Sequence, residues 1–449
     1  MALVFATGSA GAQGAALAPG IALATFDTAW SRINETHFDT AFLSTRWREL
    51  RDSLRPVAER ATTNNELRRV IQRMLSSIGT SHFGLIPREA SPVLDALDAA
   101  AAGARGGGSG GATASANVTL RIADNALIIW KVGAGSPAWS SGVRPGDRVL
   151  SINGVALDSA VSQLRTIQDE HVRRQTSLTL AMRANAMLAG SINDPVSLVF
   201  GEPGHGREVS VQRAPTRGAM ARFGNLPPMN AHVEVTEELV DSPHGRRRIG
   251  VIAFSVWLPV VGPQIDSAVH RFRDADGIVL DLRGNPGGLA ALTGRVAGHF
   301  VDSAYSLGAL YMRATTLNLV ANPQRVAPDG ETRVQPFDGP LAILMDRLSA
   351  SASEFFAAGV QGLGRARVFG DTSAGASVPA LMGRLPNGDV MLHAIADHLD
   401  SRGRRVEGRG VIPDEVIQLN IADLAAGRDA PLAAAIQWIT TQPRRSQLQ

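Results

Sequence analysis

The stretch from Leu341 to Val378 constrains this chain most, because its hydrophobic pattern changes period within a few residues. Leu341–Met345 is an unbroken apolar run, and Phe355, Phe356, Val360 and Leu363 then recur at helical spacing before Gly364. Between them lies a run of small residues, Ser349-Ala350-Ser351-Ala352-Ser353. The pattern reads as strand, turn and helix. Such a turn sets a serine at a helix N-terminus, where unpaired amides and the positive end of the dipole favour developing negative charge. An acyl-transfer nucleophile needs that setting. The same residues also spell a helix cap, since Ser351 followed three places later by Glu354 is the capping-box pattern.

A second buried strand, Gly277–Leu282, breaks into the glycine-rich turn D-L-R-G-N-P-G-G, Asp281 to Gly288. Read alone, this is a strand-to-helix turn; its glycines also allow the backbone to approach a ligand closely. Apolar strands at 277–282, 341–345 and 367–370 alternate with helical segments at 289–300 and 353–363, the order of right-handed strand–helix–strand units in an α/β core.

S-A-S-A-S-E and D-L-R-G-N-P-G-G together resemble the C-terminal processing peptidase family of serine proteases, the S41 type. The resemblance implies a crotonase-like catalytic core, Ser351 as nucleophile, and an oxyanion hole built from an amide of Gly287 or Gly288 with the amide of Ala352. One departure from the family is informative. Its bacterial processing proteases use a serine–lysine dyad, with a lysine twenty-five residues after the serine and a glutamine four beyond. Here Ala376 and Ala380 hold those places, and the only lysine of the chain is Lys131.

Thr80-Ser81-His82-Phe83 and Glu407-Gly408-Arg409-Gly410-Val411-Ile412-Pro413-Asp414 instead resemble the tricorn branch of the family, which pairs serine with histidine, a second serine and a glutamate. That branch implies His82 as general base, held by Ser81 and Glu407. Histidine, with an ordinary pKa near ~6.5, suits proton removal from a serine near neutral pH. Without the flanking motif His82 reads as an ordinary loop histidine. Loss of the lysine leaves one alternative, a catalytically inactive relative that binds peptides or other ligands.

The rest of the 449 residues divides by pattern, and the length prior is about three domains at ~150 residues each. Residues 1–22 are small and apolar, with Ala10-Gly11-Ala12 as a candidate signal-peptidase site and no basic residues before it. An exported, periplasmic or secreted protein is the expectation from that site. Residues 23–100 carry helical periodicity, and Asn64 or Asn65 is the expected cap of the last helix there. Residues 101–116 are a glycine-rich linker that lacks the lysine of a phosphate loop.

Residues 117–215 resemble a PDZ domain, carried by Gly135-Ser136-Pro137-Ala138 and Ser141 to Val155. The resemblance implies capture of extended C-terminal peptides by strand addition, or gating of substrate; a structural spacer is the plainer reading. The helical excursion from Arg165 to Ala189 exceeds what that pattern needs. Residues 216–449 form the α/β protease core, closed by a helix over 424–439.

Composition narrows the rest. The formal charge is only +3, with arginine supplying nearly all the basic groups, which gives no footprint for nucleic acid. Without cysteine there is no disulfide, thiolate metal site or cysteine nucleophile. No metal site or cofactor is expected, and no run of ~18 apolar residues predicts a membrane span. The arginines at 402, 404 and 405 read as a solvated loop. The partners expected are protein or peptide substrates, with C-terminal peptides at the PDZ domain. Oligomeric state is open.

Overall fold

A computed structural model describes residues 17–88, 114–168, 170–192, 194–221, 229–243 and 245–443. The candidate cleavage site at Ala10-Gly11-Ala12 and the glycine tract 103–111 lie outside them. The chain forms two compact units. One comprises residues 1–102, 312–315 and 379–396, and the other holds the remainder.

The first unit is helical, with α1 (Ile21–Thr36), α2 (Thr40–Ser44), α3 (Arg46–Glu59) and α4 (Asn64–Ser76). Phe26, Ile33, Trp47, Leu67, Ile71 and Met74 fall on the inward stripes of these helices and share one core with Leu385 and Met391. The cap of α4 is Thr63, not Asn64 or Asn65: its side chain accepts from Glu66 N, and Glu66 returns to the Thr63 amide. Threonine one place earlier completes a capping box with Glu66, whereas neither asparagine has a glutamate three residues on. After α4 the chain runs through Ser81 and His82 into Gly84–Ile86, an edge strand antiparallel to Val390–Ala394. The buried ion pair Arg68–Asp389 (2.7 Å) ties α4 to that strand.

The second unit opens with a small β module. Strands β1 (Val118–Ala123) and β2 (Ala126–Val132) form a hairpin. Strand β3 (Val149–Ile152) leads to the Asn153-Gly154 turn and to helix α5 (Asp158–Gln163). A second helix, α6 (Glu170–Met187), follows before β4 (Val196–Phe200) and β5 (Arg207–Val211) complete a sheet with β3.

The remainder is an α/β layer. Strand β6 (Val233–Val240) pairs antiparallel with β7 (Arg247–Phe254). From β7 the sheet runs parallel through β8 (Gly277–Asp281), β9 (Leu341–Met345), β10 (Arg367–Gly370) and β11 (Glu415–Val416). Strands β8 and β9 are buried at every position, the mark of a sheet covered on both faces. Helices α7 (Gly262–Arg271), α8 (Ala291–Ala297) and α9 (Ala352–Gly362) supply the connections, and α10 (Ala430–Thr441) packs Ala435 and Ile439 against β7, β8, β9 and β10. The expected α/β core is therefore present. The expected single closing helix is two: Ile421–Ala425 ends before Gly427, and Asp429 caps α10 by accepting from Leu432 N.

Adjacent parallel strands β8 and β9 end on the same edge of the sheet. Open parallel sheets present their ligand sites there, beyond the carboxyl ends of the strands. The D-L-R-G-N-P-G-G turn follows β8 and the Ser351 turn follows β9.

One buried group makes folding pH-sensitive. His398 is fully buried against Phe355, ring centroids 4.4 Å apart, with neither ring nitrogen hydrogen-bonded, and burial pushes its pKa down to about 4. The unfolded chain takes up a proton near pH 6.5 that the native state refuses, so stability is lost as pH falls below that value. His398→Leu should therefore stabilise by about 2 kcal/mol more at pH 5 than at pH 8, measured by urea unfolding. An equal effect at both pH values would contradict this assignment.

Candidate active site

Ser351 sits between β9 and α9 with φ 53° and ψ −118°, a backbone state that a residue with a Cβ rarely adopts. Holding it costs about 1–3 kcal/mol, and such strain persists only where neighbours over-determine it. Three sets of contacts do so. Glu354 Oε2 accepts from Ser351 N at 3.0 Å, and the Ala376 carbonyl accepts from the same amide at 2.9 Å. The Ala350 amide donates to the Asn285 carbonyl (3.1 Å), and Ser353 Oγ donates to the same oxygen (3.0 Å). Gly287, at φ 101°, lies so near that an added Cβ would stand 2.6 Å from Ser351 Cβ and 2.9 Å from Ala352 N.

Asn285 joins the two turns. Fully buried, it donates through Nδ2 to Phe254 O (2.9 Å) and accepts from Gly287 N through Oδ1 (3.0 Å). Trp257 completes the frame from the next strand. Its amide donates to Gly287 O, its carbonyl accepts from Leu289 N, and its indole donates to Ser353 Oγ at 2.8 Å.

This accounting separates the candidate amides. The Gly287 amide is taken by Asn285. Among the described residues the amides of Gly288 and Ala352 have no acceptor. Ala352 is the first residue of α9, so its amide adds the positive end of an eleven-residue helix.

Glu354 is the charged group of the site. Fully buried, it accepts from Ser373 Oγ (2.5 Å), Gly375 N (2.7 Å), Ala376 N (3.0 Å) and Ser351 N. Burial pushes its carboxyl up to about 7; the Ser373 hydroxyl and Gly375 amide oppose that shift, and the charge of Glu407 adds to it. Glu407, also buried, accepts from Ser377 N at 2.7 Å. Its segment abuts the same loop: Gly408 N donates to Gly375 O, and Val411 N to Ser373 Oγ. The serine turn, the 373–377 loop and the 406–411 segment thus form one hydrogen-bonded body.

Residues 248–417, which contain both turns, match the model of peptidase family S41. The chain carries a peptidase family S41 domain. Within this S41 protein, residues 128–181 match the PDZ domain model and residues 24–76 the C1 domain of tricorn protease. The chain is 24% identical over 427 residues, 92% of its length and 85% of the relative's, to a carboxyl-terminal-processing protease of Synechocystis sp.. It is 24% identical over 320 residues to the protein of that name from Picosynechococcus sp., covering 70% of this chain and 67% of that one. In fold it is similar to the photosystem II D1 C-terminal processing protease (TM-score 0.58, 18% identity, 94% of this chain and 98% of that one). Mature CPAF complexed with lactacystin is similarly close in fold (TM-score 0.57, 13% identity, 94% and 97%). The enzyme class is serine protease, and the chain pairs an α/β core with a PDZ domain.

The remaining candidates of this S41 peptidase lie in the helical unit. Ser81 is buried, and its Oγ lies 2.7 Å from His82 Nδ1. His82 holds φ 61°, a second left-handed residue with a side chain, and burial pushes its pKa down to about 4. Ser351, Ala352, Gly287, Gly288 and Glu407 belong to the other unit. The sequence marks Glu354 only as a cap partner and does not single out Asn285, Trp257 or Ser373. The asparagine stood in plain view inside D-L-R-G-N-P-G-G. Among the described residues no group of three or more His, Asp and Glu could hold a metal ion.

The fit of Gly287 against the serine gives a direct test. Gly287→Ala should lower peptide turnover by a factor of about 100 or more, the scale of losing one oxyanion donor. Gly403→Ala, also at positive φ but facing open space, should leave turnover within about twofold. Near-normal turnover in Gly287→Ala would contradict the packing described here.

Proposed function

We propose that this protein is an endopeptidase that cleaves protein substrates through an acyl-enzyme on Ser351, with His82 as general base. Ser351 Oγ attacks the scissile carbonyl carbon as its proton passes to His82 Nε2. The carbonyl oxygen, now an oxyanion, takes the Gly288 and Ala352 amides, and collapse of the tetrahedral species expels the amine, which leaves with the proton held on His82. Water then attacks the ester by the same route and frees Ser351.

The observation that carries this reading is the strained Ser351 packed against Gly287, with the next amide of each turn, Gly288 and Ala352, lacking an acceptor among the described residues. Gly288 is preferred over Gly287 because Asn285 already occupies the Gly287 amide. The role of His82 draws on its Ser-His motif and on its protonation state. Burial, which lowers its pKa to about 4, keeps the imidazole neutral in the neutral range but weakens it as a base, so the role requires the imidazolium to be stabilised when substrate is bound. With the Nδ1 proton directed at Ser81 Oγ, Nε2 carries the free lone pair. Glu407 is assigned to orienting that ring, as in the tricorn branch it resembles.

The substrates are protein or peptide chains, and the PDZ domain acts on their access to the site. A periplasmic or secreted place of action follows from reading Ala10-Gly11-Ala12 as a cleavage site; no described helix is long and apolar enough to cross a membrane.

A fluorophosphonate probe should label the wild-type chain at Ser351 and leave Ser351→Ala unlabelled; equal labelling of both would refute the nucleophile. His82→Ala should lower kcat by about 10²–10⁴ with little change in KM, measured on a short quenched peptide. Turnover within about threefold of wild type would reject His82 as the base.

A further inference from the structure

PDZ domains take a peptide as an added strand, laid along a free sheet edge beside a helix, with its terminal carboxylate on the backbone just before that edge strand. Here the corresponding edge belongs to β1, which pairs with β2 on one side only. Its other side is filled by α6, the segment that exceeds a PDZ pattern. Asn185 of α6 accepts from Leu120 N through Oδ1 (2.9 Å) and donates from Nδ2 to Leu120 O (3.1 Å), the two bonds that one residue of an added antiparallel strand would exchange with it. Upstream of β1 the occupation continues. Ala116 N donates to Leu188 O (3.1 Å), and Ala114 and Ser115 pair antiparallel with Gly190 and Ala189.

The apolar side of the groove is filled as well. Leu180 and Ala184 on one face of α6, and Leu188 just past its end, are buried in the same cluster as Leu120 of β1 and as Ala160 and Val161 of α5. Buried Arg213 closes the end of the helix, donating to Leu188 O at 3.1 Å and to Met187 O at 3.3 Å. The neighbouring face of α6 looks the other way. Leu178 and Ala181 are buried with Leu348, Ala350, Ala374 and Ala376, which flank Ser351 and Glu354. The adjacent residue of β1 anchors the same turn, through the buried pair Arg121–Asp346 at 2.6 Å.

We propose that α6 is the resident occupant of the PDZ peptide groove, so that a peptide C-terminus enters the groove only by displacing a helix that packs against the nucleophile turn. The catalytic role of that turn rests on the function proposed above; the occupancy of the groove does not.

The test uses the full chain carrying Ser351→Ala, with the probe confirmed intact by mass spectrometry at the end of each titration, so that the readout does not depend on the catalytic assignment. Fluorescence anisotropy would follow a labelled decapeptide mixture, randomised over its last four apolar positions, with a free carboxylate or an amide end. Hydrogen exchange would follow residues 118–123 and 177–188. Expected are no saturable binding, or binding of the free carboxylate accompanied by faster exchange in 177–188. Adding Asn185→Ala should speed exchange in 118–123 at least tenfold and tighten peptide binding at least tenfold. Saturable binding with exchange in 177–188 unchanged would overturn the proposal. So would a folded Asn185→Ala chain whose 118–123 segment stays as protected and as closed to peptide as its parent; should that variant not fold, the exchange of the parent chain with peptide still decides.

Discussion

The left-handed backbone of Ser351 is the constraint on which the second unit turns. A serine at φ 53° is not the relaxed state of a strand-to-helix turn, and the cost of about 1–3 kcal/mol must be met by its surroundings. The surroundings are specific. Asn285 binds the glycine-rich turn to the serine turn from below, Glu354 holds the Ser351 amide from the helix side, and Gly287 yields the space a side chain would claim. Both turns hang from the ends of adjacent parallel strands, so the sheet register sets their separation. The outcome is a hydroxyl-bearing residue held against the glycine-rich turn, with the Gly288 and Ala352 amides lacking an acceptor among the described residues, which suits an acyl-transfer site and is not needed by a plain helix cap.

The carboxylate of Glu354 is the costliest part of this arrangement. Four donors converge on a fully buried acid whose pKa nonetheless rises to about 7, because burial and the nearby Glu407 charge outweigh them. A group so placed contributes most to a site when the loops that supply its donors are themselves fixed. The 373–377 loop is fixed on one side by the 406–411 segment and on the other by Leu178 and Ala181 of the helix in the PDZ groove. Local chemistry and the distant peptide groove therefore share one packed layer.

Much of this was legible in the residues because the two turns are written in backbone-determining letters. Short apolar runs leading into Ser-Ala-Ser or Gly-Asn-Pro-Gly-Gly leave few alternatives to strand and turn, and the spacing of Phe356, Val360 and Leu363 marks helix α9. The pairings were not legible. That Asn285 would reach Phe254 and the serine turn as well as its near neighbour Gly287, or that Trp257 would brace both turns, depends on contacts between segments tens of residues apart. Thr63 displaced the expected asparagine cap for a local reason, the reach of Glu66. The excess helix 170–187 was visible as a segment without a purpose; only three-dimensional packing sets its Asn185 against the edge of β1.

The most direct measurement is a crystal structure of the wild-type chain reacted with a peptidyl phosphonate. The account predicts a covalent bond from Ser351 Oγ to phosphorus, with the phosphoryl oxygen about 2.7–3.1 Å from both the Gly288 and Ala352 amides and Glu354 still bound to the Ser351 amide. A phosphoryl oxygen turned away from those two amides, or an adduct on any other residue, would contradict it.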